Sequence, residues 1–305
     1  MDVISGINRA ELELKRTLKS GQCFRWESLK LREDVNTLGS QAGIDTTSRI
    51  QCILWGTICN ESIVLEAWEK KSKDKEITIV TERDNAKQRI IEYLNLDLEY
   101  ENLIHNMKLP EEDYGNKAYK ELRGLRILKQ DLDEVVISFI ISQRNSITRI
   151  RKTIRDIGAI CNTDKTVSYV YGTELSMNKF PSMKEIYDSK NKLWELRMGY
   201  REDYIIDLVN QVARGKKLYP TVEEAKQIET QELINILKRI RGIGDKVANC
   251  IALYGYNRYD AFPRDTWIDK VEQEEYGGHL DEKVYGKYAG IMQQYMFEYI
   301  RDHIV

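Results

Sequence analysis

The chain sets Gly242, Gly244, Lys246, Cys250 and Asp265 within 24 residues, in RIRGIGDKVANCIALYGYNRYDAFPRDTW. Lys246 follows a glycine turn and reads as part of the first turn of a helix. An amine there has two uses. It can hold a phosphate, or it can attack C1′ of a sugar and form a Schiff base. Asp265 follows a turn fixed by Pro263. A carboxylate near the amine would stabilise positive charge on the sugar or help move protons. Taken alone, Asp265 reads better as the N-cap of a helix beginning at Thr266. The two roles coexist, because a capping carboxylate keeps a free oxygen.

Two helices must hold these groups. Leu233, Ile236, Leu237 and Ile240 give one its apolar face, Gly242-Ile243-Gly244 breaks it, and Val247, Ala248, Ile251 and Ala252 begin the next. Glycines let backbone approach a phosphate closely. The second helix then points its unpaired N–H groups and positive dipole end at the anion. Lys238, Arg239 and Arg241 add charge beside the turn. An ordinary helix–helix connection with a glycine C-cap is the commoner explanation of a lone G-x-G.

The rest of the chain reads as α+β: an N-terminal antiparallel β-sheet domain with short helices over residues 1–117, then an all-helical domain over 118–305 with the hairpin at about 238–250. RIQCILWGTI alternates Ile50, Cys52, Leu54, Gly56 and Ile58 on one face, and SIVLEAW and KEITIV supply further strands. The polar stretch 33–49 reads as a surface loop. TERDNAKQRIIEYL predicts a helix capped by Thr81, with Ala86, Ile90, Ile91 and Leu94 on its buried face. DLDEVVISFIISQ, ITRIRKTIRDIGAI, SMKEIYD, YIIDLVNQVARG and TQELINILKRI follow as helices, and KVYGKYAGIMQQYMFEYIRDHI as one long C-terminal helix.

A net charge of −2 and 31% charged residues carry no global basic signal, so nucleic acid would have to be held by a local patch. No stretch approaches the ~20 apolar residues of a membrane span, and the first residues lack the apolar core of a signal peptide. The expectation is a soluble intracellular protein, in the cytoplasm or nucleoid if prokaryotic. The five cysteines are scattered with no C-x2-C pair, and the three histidines form no ligand cluster. A disulfide framework, a structural zinc and an iron–sulfur cluster are therefore not expected.

Glycine hairpin, lysine and downstream aspartate together resemble the helix-hairpin-helix DNA glycosylases (HhH-GPD superfamily). Within them the chain is similar to the 8-oxoguanine DNA glycosylases/AP lyases. SGQCFRW at 20–26 resembles their G-Q-x-F-R-W signature, FIISQRNSITRI their lesion-side loop and next helix, LRMGYREDYI their G-Y-R element, and GKYAGIMQQYMF their pocket helix. The resemblance implies a monomeric bifunctional enzyme acting on double-stranded DNA that contains 8-oxoguanine. Lys246 corresponds to the Schiff-base lysine and Asp265 to the catalytic aspartate. Gly21 corresponds to the glycine whose carbonyl accepts the N7–H of the oxidised base. Cys250 and Phe297 correspond to the residues that sandwich that base, and Gln293 to the one that reads its Watson–Crick edge. Arg149 and Arg201 correspond to arginines that contact the orphaned cytosine, and Tyr200 to a wedge beside it. Asn145 or Arg144 would fill the gap, and Gly242 and Gly244 would hold phosphate. A monovalent cation at the hairpin carbonyls, as in relatives, is neither required nor excluded by the residues there.

Bland readings stand beside these. Cys250 and Phe297 could be core, Gln293 a solvated residue like Gln294 after it, and GQCFRW a sheet edge. Arg144, Arg149, Arg151, Lys152 and Arg155 could be a solvated helix face. Three residues depart from the animal enzymes: Asp245 beside the expected phosphate, where it weakens binding or caps the helix, Trp267 for a histidine, and Arg144 for an asparagine. Rival readings are another glycosylase of the superfamily, or a non-catalytic hairpin that only holds DNA. The first is disfavoured because no cysteine follows Cys250 to complete an iron–sulfur loop, the second because of Lys246 and Asp265.

Overall fold

The structure is a computed structural model and describes residues 1–30, 37–44, 48–70 and 76–304. Two compact units emerge. The first comprises Met1–Ile104, Arg123–Leu128 and Asp164–Lys179, and the second comprises His105–Leu122, Lys129–Thr163 and Phe180–Val305. The sequence suggests one cut between 117 and 118; instead the chain returns to the first unit twice. Among the described residues no helix is long and apolar enough to cross a membrane.

In the first unit β1 (Asp2–Asn8), β2 (Glu27–Ser28), β3 (Arg49–Ile58), β4 (Glu61–Glu69) and β5 (Glu76–Thr81) form an antiparallel sheet in the order β1-β5-β4-β3-β2. Helices α1 (Leu14–Lys19), α2 (Leu38–Gln41), α3 (Lys87–Tyr93) and α4 (Tyr100–His105) accompany it. Both faces of the sheet carry apolar clusters. Cys52, Leu54 and Ile58 of β3 join one, while Ile50 and Ile53 join the other. Ile50 therefore leaves the face that alternation assigns it. A register shift between Ile50 and Cys52 is the cause, because one extra residue reverses the side of everything beyond it. The expected loop 33–49 lies partly outside the described residues and holds the short α2. Thr81 ends β5 and does not cap α3. The cap comes from Asp2, whose Oδ2 accepts from the amides of Ala86 at 2.6 Å and Lys87 at 2.8 Å.

Residues 165–178 lie within the stretch expected to be helical and belong to the first unit. They form a hairpin, β6 (Lys165–Val170) and β7 (Thr173–Asn178). Tyr171 and Gly172 at its turn both have positive φ, as tight hairpin turns require. Ser62 of β4 binds it through Thr166 and Ser168.

The second unit is helical: α5 (Tyr114–Glu121), α6 (Leu132–Ser142), α7 (Ile147–Ile160), α8 (Met183–Asp188), α9 (Tyr200–Ala213), α10 (Val222–Ala225), α11 (Thr230–Leu237), α12 (Asp245–Gly255), α13 (Thr266–Glu275) and α14 (Ala289–Ile304). Asp131 and Ser146 cap α6 and α7 through N3 amides. Val135 to Ile141 of α6 are all buried. The expected long C-terminal helix is broken. Gly286, at φ 53° and ψ −136°, kinks a 3-10 segment, and α14 starts afresh at Ala289.

Candidate functional site

The hairpin joins α11 to α12. Gly242 has φ +87°, and a Cβ there would lie 2.3 Å from the ring of Tyr204, so conformation and space both demand glycine. Gly244 differs. Its φ is −93° and nothing lies within 4 Å of where a Cβ would stand. Neither strain nor crowding explains glycine there, and the backbone is left open to approach from outside. Gly244 is the N-cap of α12. Asp245 is thus the first helical residue, not the cap, and its carboxylate is paired with Lys238.

Lys246 sits one residue further along α12. Its Nζ lies 5.5 Å from the centre of the Phe139 ring, and its charge acts on the Cys250 thiol. Phe139 is buried and stacked on Tyr254 at 5.2 Å. Burial pushes the Cys250 thiol up to about 11, against the charge of Lys246. The thiol is therefore protonated at neutral pH and is not a rival nucleophile.

Asp265 caps α13. Its Oδ1 accepts from the amides of Trp267 and Ile268, each at 3.0 Å. Burial raises its carboxyl above the ordinary range, and the two amides and the charge of Lys246 oppose that rise. Asp265 is thus the N-cap that the sequence allows. Asn249, which sequence reasoning did not single out, ties the loop to the lysine's helix. Its Nδ2 donates to Asp245 O at 2.9 Å, and its Oδ1 accepts from the amide of Phe262 at 3.1 Å. No local signal marks it, because its partner lies 13 residues away.

Helix α14 docks on this region through Gly290. A Cβ there would lie 2.3 Å from Ala261 O and 2.7 Å from Leu253 Cδ1. Tyr254 donates to the amide oxygen of Gln294. Gln293 is 2% exposed, so it is not solvated, and its Oε1 is a buried acceptor with no partner among the described residues. Such an atom costs about 1–3 kcal/mol. Phe297 is half-buried beneath the Arg301 guanidinium, at 5.1 Å.

The α6–α7 loop, 143–146, belongs to the same unit. Arg144 is exposed at φ +44°. Asn145 folds back, donating from Nδ2 to Ile141 O at 3.1 Å. Arg201 is 8% exposed. Its guanidinium donates to Gln143 O from Nε at 2.7 Å and from Nη2, to Arg144 O at 2.9 Å and to Met198 O at 2.9 Å. Tyr200 is 44% exposed and meets Tyr204 edge-on at 5.6 Å. Arg149 is exposed and donates to Arg197 O at 2.7 Å. It lines an open cleft of about 580 Å³ with Lys152 and Arg197.

Gly21 lies in the first unit, at φ +85°. GQCFRW is not a sheet edge: all five side chains after the glycine are buried. Gln22 is fully engaged, donating to Arg126 O at 2.7 Å and accepting from the Leu128 amide at 2.9 Å. Trp26 bonds the Tyr93 hydroxyl at 2.9 Å.

Comparison with known proteins bears on these groups together. Residues 5–136 match the family description "8-oxoguanine DNA glycosylase, N-terminal domain". The N-glycosylase/DNA lyase of Saccharomyces cerevisiae is 27% identical over 287 residues, covering 88% of this chain and 70% of that protein. A solved 8-oxoguanine glycosylase/lyase of Clostridium acetobutylicum, in complex with double-stranded DNA containing cytosine opposite the lesion, superposes with a TM-score of 0.74. It is 26% identical, with 97% of this chain and 93% of that one covered. The chain is thus similar to 8-oxoguanine DNA glycosylases over most of its length. A structure of MBOgg1 with a low-affinity DNA ligand gives a TM-score of 0.75 at 27% identity, over 99% of this chain and 95% of the other. The family match covers GQCFRW in the first unit and ends before the hairpin.

Proposed function

We propose that this protein excises 8-oxoguanine from double-stranded DNA through a Schiff base on Lys246 and then nicks the strand as an AP lyase. The observation that carries the reading is the surroundings of one amine. Lys246 follows an open glycine N-cap and shares its electrostatic field with a protonated thiol and the half-buried carboxylate of Asp265.

The damaged nucleotide leaves the stack at a cost of a few kcal/mol. The neutral amine attacks C1′ as the glycosidic C–N bond breaks, and the base departs with a proton. Positive charge develops on the sugar, and Asp265 opposes it. The ring opens to a protonated Schiff base. Loss of a C2′ proton then expels the 3′ phosphate by β-elimination.

Gly21 O would accept the N7–H that guanine lacks. One such bond separates the two bases by about 1–3 kcal/mol, or roughly tenfold to a hundredfold. Cys250 and Phe297 would enclose the base, and the orphan Oε1 of Gln293 would meet its edge. On the partner strand, Arg149 and Arg201 would donate to the N3 and O2 of cytosine, beside Tyr200, with Arg144 or Asn145 in the gap. Arg201 would do so by exchanging some of its carbonyl partners. The site of action is the cell's own duplex DNA.

Borohydride trapping tests the reading. Wild type should form a covalent adduct with DNA containing 8-oxoguanine. Lys246→Gln should lose base release, nicking and adduct formation while still binding the lesion. An adduct formed at the wild-type rate by Lys246→Gln assigns the chemistry to another amine.

A further inference from the structure

Gln143 has no role in the reading above, yet it joins two parts of the second unit. It is the C-cap of α6 and opens the α6–α7 loop. Its Nε2 donates to Gly242 O in the hairpin at 3.0 Å and to Ile140 O at 3.2 Å. Its own carbonyl accepts twice from Arg201. One residue thus holds the phosphate-type turn with its side chain and the loop's anchoring arginine with its backbone. The next residue is Arg144, left-handed and exposed, whose side chain has no hydrogen-bond or ionic partner among the described residues. A non-glycine residue in that conformation is uncommon and persists where neighbours impose it. A second connection runs in parallel, since Tyr204 packs on Gly242 and meets Tyr200 beside Arg201.

We propose that Gln143 is a positioning residue that couples the hairpin's hold on the DNA backbone to entry of the α6–α7 loop into the space left by the extruded base. This rests on the proposed glycosylase activity. When the hairpin seats on a phosphate, the amide bond to Gly242 O fixes the start of the loop, so Arg144 is presented in register. Without that bond the hairpin and the amine are intact, but the loop is no longer indexed to them.

The test separates base extrusion from the chemistry of the amine. Wild type, Gln143→Met and Gln143→Glu are compared in single-turnover excision of 8-oxoguanine and in borohydride trapping on a duplex with a preformed abasic site, where no base must be extruded. Methionine keeps the length but not the donors, and glutamate sets acceptors against the carbonyls of Gly242 and Ile140. The loss of the bond to Gly242 O, the one of the two that reaches the hairpin, should slow excision about five- to tenfold in Gln143→Met, and more in Gln143→Glu. Trapping on the abasic duplex should stay within about twofold, on that same count of bonds, in both variants. Equal loss in both assays makes Gln143 a support of the fold or of the amine and overturns the proposal, as does unchanged excision. A wild-type chain that neither excises nor traps overturns the glycosylase/lyase reading itself, and this coupling with it.

Discussion

Gln293 and Gln294 stand side by side on α14, and the second is satisfied by Tyr254 while the first leaves a buried oxygen without a partner. Sequence could not tell them apart, because the difference lies in a hydroxyl 40 residues away. Replacing the orphan should therefore relieve the free protein while harming the reaction. Gln293→Met is expected to raise the unfolding free energy by about 1 kcal/mol, and to slow excision of 8-oxoguanine by about tenfold or more through the lost contact to the base edge. Urea denaturation and single-turnover kinetics on one preparation check both halves. A variant that is less stable and fully active refutes the assignment. Asp245 is the other instructive residue. Its carboxylate neutralises Lys238 at the hairpin. Asp245→Asn should free that lysine, tighten DNA binding and steepen the dependence of log K on log salt by about 1. A salt titration by fluorescence anisotropy reads the slope, and an unchanged slope would mean that Lys238 never meets a phosphate.

The elements were legible where pattern and cap agree, as in α6 and α7, whose apolar faces follow Asp131 and Ser146. They were misread where one residue redirects a pattern, as at the Ile50/Cys52 shift in β3 and at Gly286 before α14. The hairpin was legible as a motif, but its two glycines do different things. Gly242→Ala must move the Tyr204 ring and hold a left-handed alanine, so it should destabilise the protein by about 1–3 kcal/mol. Gly244→Ala meets no atom within 4 Å and should fold normally, yet bind DNA more weakly. Melting temperatures beside DNA affinities distinguish the two, and equal destabilisation would deny that Gly244 is kept for a ligand. The cap of α13 makes a pH prediction. Burial raises the Asp265 carboxyl in the folded state. Between the ordinary carboxylate range near 4 and that raised value the folded protein holds more proton than the unfolded chain. Stability on this account falls as pH rises through the window, and the deficit is complete at neutral pH. Asp265→Asn keeps the capping oxygen without the charge, so it should gain stability relative to wild type at pH 7 and not at pH 3, while losing excision. Denaturant curves at both pH values decide it.

At the scale of the molecule, the α+β class and the likeness to 8-oxoguanine DNA glycosylases were readable because GQCFRW, the hairpin and GKYAGIMQQYMF are local strings. The division into units was not. Membership of 123–128 and 164–179 depends on partners far back along the chain, such as Gln22 for Arg126 and Ser62 for Thr166. The alternation in KTVSYVYGTELSMN was a strand signal all the same, outweighed by the helices around it. Those returns set a timetable for birth on the ribosome. The first unit lacks its last strands until Lys179 has been made, 75 residues after Ile104. At ~5–20 residues per second, that is a wait of about 4–15 s. During it the nascent sheet has neither the hairpin partner of Ser62 nor Val167 O, the acceptor for Arg83. A ribosome stalled before residue 164 should display an N-terminal segment open to proteases and chaperones, and one stalled well past 179 should display it closed.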